Sequence, residues 1–170
     1  MGSTEYDLID FLKLRDGVYL IPSNKAGPDG AFWLALGDEW ILVVVQSKFA
    51  AGFDVDHALR TIDPATFYWA GPANITTTGG RQKTALKAEN TKQANLAKLR
   101  AEAVKLIKTK TVGVLSILVC LPGAAPTPLV PGLSMRGDGS IQLVIDSTNA
   151  ADGLFSEEVV NTLLKLKTKC

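Results

Sequence analysis

Three side chains combine residue type and spacing in a way that chemistry on a phosphate ester would use. They are Asp29, Gln46 and Lys48, all within "GPDGAFWLALGDEWILVVVQSK" (27–48). Gln46 and Lys48 follow an apolar run that reads as a strand, and two-residue spacing puts them on one face of it. Asp29 opens the preceding strand, "AFWLALG", and Gly37-Asp38 reads as the hairpin turn between the two. In a hairpin the start of one strand lies beside the end of the next, so the three side chains converge. A carboxylate, a side-chain carbonyl and the backbone carbonyl of Ser47 form an oxygen set that suits Mg²⁺ or Mn²⁺. An ammonium beside them can orient or deprotonate a water, or offset charge on a phosphorane-like transition state. Each residue also has an ordinary reading. An aspartate after proline is favoured by turn chemistry, and an amide and an ammonium at a strand end can simply reach solvent. The joint spacing is what sets the triplet apart.

The elements that must position these residues follow from periodicity. "STEYDLIDFLKL" is an amphipathic opening helix, and "GVYLIPS" reads as a first strand closed by proline. "EWILVVVQSK", the third strand, is apolar enough to be central and covered on both faces. "DVDHALRTIDPATFYWAGP" reads as a short helix broken before Pro64, with an aromatic segment after it. From about Thr84 to Lys108, Leu96, Leu99, Ala103, Leu106 and Ile107 form one helical stripe with lysines on the other faces. "TVGVLSILVC" is a buried strand, "LPGAAPTPLVPG" a proline-rich connection and "SIQLVIDST" a further strand. "SEEVVNTLLKLK" is a closing helix, with Ser156 as its N-cap. The order predicts a single α/β domain over 1–170 with a mixed sheet flanked by helices.

"PD" with "QSK" seventeen positions after the aspartate resembles the PD-(D/E)xK, or restriction-endonuclease-like, nuclease superfamily in its QxK variant. The wording "GPDGAFWL…VVVQSKFA…ALRTIDPATFYWAG" is most similar to the nuclease domains of Crinkler-type (Crinkler/RHS) effectors, over roughly residues 18–121. The resemblance implies an αβββαβ core at about 5–121 with a C-terminal strand and helix over 122–170. It implies a metal held by Asp29 and Gln46, with an acid on the first helix as a further ligand (Glu5, Asp7 or Asp10, Glu5 the best match by residue type), and Lys48 as the catalytic lysine. It also implies hydrolysis of phosphodiester bonds, of DNA rather than RNA, by the toxic part of a larger protein. Such proteins often carry an ATPase-type domain, and they work in a nucleus or the cytoplasm, their own or a host's. Gln46 departs from the acidic residue usual at its place. The missing charge lowers the expected metal affinity and keeps open a catalytically inactive module that binds nucleic acid or protein.

Composition sets the remaining bounds. At 170 residues with 46% hydrophobic and 21% charged content, the chain is a globular domain with one core. The net charge of +1 hides an asymmetry: residues 81–110 carry nine basic side chains against two acidic ones. A lysine-rich helix face is ordinarily just solvated. So dense a cluster suits phosphate contacts, with Arg81, Lys83 and Lys87 as candidates on the helix and its "TTTGGRQK" approach. That approach lacks the Gly-Lys-Ser/Thr ending of a P-loop. His57 reads as an exposed or structural histidine. Of the aromatics Trp33, Trp40, Phe67, Tyr68 and Trp69, most are expected in the core, although exposed ones can stack on bases. Ser134 and Ser147 lack a nucleophile-elbow setting. Two cysteines give no disulfide framework, so a reducing compartment is expected. The N-terminus has no apolar signal region, and "MGS" reads as a cloning remnant ahead of a domain from a longer chain. The final helix would offer a face for a homodimer.

Overall fold

The computed structural model describes residues 8–15, 19–23, 26–49, 52–69, 80–136 and 140–150. Helix α1 (Leu8–Leu14) leads to strands β1 (Gly30–Leu36) and β2 (Glu39–Lys48). Helix α2 (Val55–Thr61), one 3₁₀ turn (Pro64–Thr66) and the long helix α3 (Gly80–Lys110) follow. Strands β3 (Gly113–Cys120), β4 (Gly132–Met135) and β5 (Ile141–Asp146) complete the described elements. The five strands form one mixed sheet in the order β1-β2-β3-β5-β4. β1 and β2 are an antiparallel hairpin, β2, β3 and β5 run parallel, and β4 returns antiparallel on β5. This is an α/β fold with a mixed sheet, as the element order predicts.

β2 is an interior strand, between β1 and β3, and the middle of its sequence leaves no polar face. Leu42, Val43 and Val44 are consecutive and all buried, as a strand covered on both faces requires. Leu42 and Val44 join a core with Leu8, Phe11 and Leu12 of α1, Ala58 of α2, and Leu96, Ala103 and Ile107 of α3. The α3 residues are those of the apolar stripe. On β3 and β5, Ile117, Val119, Leu143 and Ile145 belong to a second cluster with Leu121 and Ala150. Among the described residues, no helix is long and apolar enough to cross a membrane.

Three elements differ from the sequence expectation. Of the first of the three expected strands, the described residues 19–23 show a single bridge: Leu20 N–H donates to Ala31 O at 2.8 Å and Ala31 N–H to Leu20 O at 2.9 Å. Pro22 has no N–H to continue a ladder, so among the described residues two strands and a bridge precede α3. α3 begins at Gly80, within a stretch that reads as loop. β4 lies at the end of the proline-rich connection, starting at Gly132 directly after Pro131. It is a short edge strand with Leu133 and Met135 exposed, so no alternation announces it. The closing helix, and residues 3–7 of the opening helix, lie outside the described residues.

At the carboxyl end of β5, Asp146 ties the connection after β3 to the sheet. Its buried carboxylate accepts from Ala125 N–H at 2.7 Å, Thr148 N–H at 2.8 Å and Thr148 Oγ1–H at 2.6 Å. Burial pushes this carboxyl up, but the hydrogen bonds from Thr148, Ala125 and Asn149 outweigh it and hold it below its ordinary value. Burial, and then the charge of Asp146, push the neighbouring Cys120 thiol up to about 11, which makes it an inert core thiol. Asp146→Ala strands these donors and is expected to cost about 2 kcal/mol in urea unfolding at neutral pH. A depressed folded-state pKa stabilises above the unfolded value. The gap between parent and variant is therefore complete above about pH 4 and closes as pH falls through the folded value.

Candidate active site

The parallel strands β2, β3 and β5 end at one edge of the sheet, where Lys48 pairs with Cys120 and Cys120 with Asp146. Carboxyl ends of parallel strands are where open α/β sheets present a crevice. A cleft of about 390 Å³ lies at this edge on the hairpin side. Asp29, Gln46 and Lys48 line it from the hairpin, and His57, Arg60 and Trp69 from α2 and the segment beyond.

The hairpin register determines how Asp29 meets Gln46. Gly30 pairs with Val45, so the next step outward sets Asp29 opposite Gln46. Asp29 N–H donates to Val45 O at 2.8 Å, extending the ladder by one bond. Oδ2 of Asp29 accepts from Ser47 N–H at 2.7 Å and from Gln46 Nε2 at 2.5 Å. The same Nε2 lies 3.3 Å from Ser47 O. A carboxylate oxygen and a main-chain carbonyl thus converge on one nitrogen. Gln46 is only 4% exposed, so this amide is fixed in the floor of the cleft. Lys48, half-buried, is on the same face of β2 two residues on.

The convergence that the strand pattern implies is therefore present for Asp29 and Gln46, and Lys48 lines the same space. Glu5 lies outside the described residues. Arg81, Lys83 and Lys87 lie in the first turns of α3, and their side chains are outside the described set. Further along α3, several basic groups are engaged internally. Arg100 donates to the carbonyls of Phe67 and Tyr68, Lys92 pairs with Glu89, and Lys110 donates to Lys13 O. Lys98, Lys105 and Lys108 are exposed.

Sequence reasoning missed Arg60, named Trp69 only among aromatics expected mostly in the core, and discounted His57. On α2, Ala58 and the following Ile62 are buried, while His57, Arg60 and Thr61 line the cleft. Their spacing of three and four residues is that of one helix face. The polar stripe was visible in "DHALRT" but easily read as a solvated surface. Asp54 caps α2 by accepting His57 N–H at 3.0 Å. The buried Ser116 hydroxyl donates to Ile62 O at 2.8 Å and pins the far end of α2 to β3. Among the described lining residues, Lys48 and Arg60 stand against the carboxylate of Asp29, a positive balance that favours an anionic ligand.

Gly27 brings the strand approach against α2. Its φ is +119°, and a Cβ there would lie 3.0 Å from Thr61 O. Gly27→Ala is expected to cost about 2 kcal/mol, since both the backbone conformation and the space oppose a side chain. Urea unfolding followed by circular dichroism measures this.

Compared with known protein families, curated proteins and solved structures, the chain matches none. The functional reading rests on its own residues.

Proposed function

We propose that the domain is a metal-dependent nuclease that hydrolyses phosphodiester bonds, DNA before RNA. One observation carries this reading. Asp29 Oδ2 and Ser47 O share a single hydrogen-bond partner, Gln46 Nε2, in a cleft also lined by Lys48. The amide nitrogen occupies a point that two hard oxygens already address, as they would address a cation. Turned about its terminal torsion, which is broad and roughly two-fold, the amide can offer Oε1 rather than Nε2 to a cation held beside these oxygens. The donor set then fits Mg²⁺ or Mn²⁺: one carboxylate, one side-chain carbonyl and one main-chain carbonyl.

When bound, the metal would polarise the scissile phosphate and lower the pKa of an attacking water. The chain's own residues do the rest. Lys48 orients or deprotonates the water at Nζ and offsets charge developing on the phosphate oxygens. Arg60 holds a neighbouring phosphate as a fixed cation. Arg81, Lys83 and Lys87 supply backbone contacts along the incoming nucleic acid. The likeness of "PD…QSK" to PD-(D/E)xK enzymes, and of the wider stretch to Crinkler-type effectors, supports the same reading. By that likeness the restriction-endonuclease-like core would belong to a larger effector, acting in a nucleus or cytoplasm beside an ATPase-type domain.

A second reading is a non-catalytic module that binds nucleic acid or protein. The hydrogen bond from Gln46 to Asp29 favours it, because an amide on a carboxylate is a closed pair that needs no ion. Incubating the domain with plasmid DNA and with labelled DNA and RNA strands, in Mg²⁺, Mn²⁺ or EDTA, separates the two. Metal-dependent cleavage is the expected result. Intact substrates in both metals, with binding that persists in EDTA, would establish the module instead.

A further inference from the structure

Beside the triplet, one wall of the cleft is built differently from the rest. The aromatic run Phe67-Tyr68-Trp69 buries its first two members, at 0% and 3% exposure, and leaves Trp69 39% exposed. Arg60 lies over the Trp69 ring, its Cζ 4.9 Å from the ring centroid. Both side chains line the cleft, and Ile21 and Pro22 add apolar surface to it. We infer that Arg60 and Trp69 form a nucleotide subsite in which Trp69 stacks on a base and Arg60 takes the adjoining phosphate. The substrate then enters as a single strand or an unpaired end rather than as intact duplex. This deepens, and rests on, the reading of the cleft as a nucleic-acid site.

The support beneath Trp69 is what separates it from a stray exposed aromatic. Tyr68 holds φ at +56°, a left-handed conformation that costs a bulky residue about 1–3 kcal/mol and persists only where its surroundings over-determine it. Those surroundings are present. Arg100, reaching across from α3, donates from Nε to Phe67 O at 2.9 Å and from Nη2 to Tyr68 O at 3.4 Å. Tyr68 N–H donates to Ala26 O at 3.2 Å, and Trp69 N–H to Thr66 O at 3.0 Å. The corner is tied to α3, to the segment before β1 and to the 3₁₀ turn. A ring presented from so fixed a corner loses little freedom when a base stacks on it.

Chemistry and size point to the same class of ligand. A base offers an apolar π-face to the ring, and its phosphate offers charge to Arg60 and Lys48. Stacking needs an unpaired base with an accessible face. The volume of about 390 Å³ is near the lower end of the roughly 300–1,000 Å³ typical of small-ligand clefts, which suits one nucleotide and not a duplex.

The test is fluorescence anisotropy with the 170-residue chain in EDTA, so that binding is read without cleavage. The probes are a labelled single-stranded DNA oligonucleotide and the same sequence as a blunt duplex. The single strand is expected to bind at least about tenfold tighter than the duplex. Trp69→Ala should weaken it by about tenfold, within the range for one lost base stack, while Trp69→Phe keeps most of the affinity. Arg60→Ala should weaken binding and reduce the salt slope by about one. Duplex binding equal to single-strand binding, or unchanged affinity in Trp69→Ala, would overturn the subsite. Cleavage by the parent chain in Mg²⁺ or Mn²⁺ is scored separately. If it is absent while Trp69-dependent binding holds, the nuclease reading fails and the subsite stands.

Discussion

Lys48→Ala is expected to lower metal-dependent cleavage by about a thousandfold, within the range for loss of a positioned proton-transfer or charge-stabilising group, without unfolding the domain. The folding claim follows from where the residue sits. Lys48 is the last residue of β2 and half-buried, with its side chain lining the cleft. Its main chain pairs with Cys120 whatever side chain it carries. Lys48→Arg refines the result. A guanidinium keeps the charge but does not give up its proton, so recovered activity would assign an electrostatic role and continued loss a role as base. Asp29→Asn is the matching change on the other strand. Asparagine retains a carbonyl that can accept Ser47 N–H, whereas alanine would leave that donor unpartnered and the Gln46 amide with only the longer bond to Ser47 O. Asp29→Asn should reduce cleavage comparably because it removes the anionic ligand that the described residues bring to the site. Gel-based initial rates, alongside urea midpoints for each variant, check both. Cleavage at parental rates in both folded variants would remove the hairpin from the chemistry.

The hairpin was legible because its information is local. A two-residue turn fixes the register, register fixes which residues oppose one another, and an unbroken apolar run identifies a central strand. Asp29 opposite Gln46 follows from these facts alone. The α3 stripe was legible for a similar reason, since its helical period extends over several turns. What escaped depended on tertiary placement. Arg60 and Trp69 are nine residues apart, and they meet only because α2, the 3₁₀ turn and the Tyr68 corner fold the chain back onto the hairpin. Nothing local marks Tyr68 for a left-handed backbone, since the reason lies in Arg100, more than thirty residues away. The engagement of some basic side chains of α3 was hidden for the same reason. Arg100, Lys92 and Lys110 count as free positive charge in the sequence, yet they serve internal carbonyls and a carboxylate. The bridge at Leu20 and the edge strand β4 are short enough that proline chemistry and sheet position, rather than pattern, decide them.

Gln46→Glu is expected to tighten Mg²⁺ binding by about 10–100-fold, because it adds a formal negative charge beside that of Asp29. The same change should destabilise the metal-free domain. In the parent, the Gln46 amide donates to Asp29 Oδ2 at 2.5 Å. A glutamate places a second carboxylate against the first, in a position that is 4% exposed in the parent. That repulsion should lower the metal-free unfolding midpoint by about 1–2 kcal/mol, and metal should restore it. Coupling between metal and stability would then be strong in the variant and weak in the parent. Thermal unfolding across a Mg²⁺ titration reads both quantities in one experiment. A parent that is neutral to metal and a variant that requires it would mean that glutamine keeps the fold intact without an ion, at the expense of affinity. If Mg²⁺ leaves the variant's midpoint unmoved, Asp29, residue 46 and the Ser47 carbonyl do not form a cation site. The oxygens converging on Gln46 Nε2 would then be a hydrogen-bonded strand end, and the cleft a binding surface.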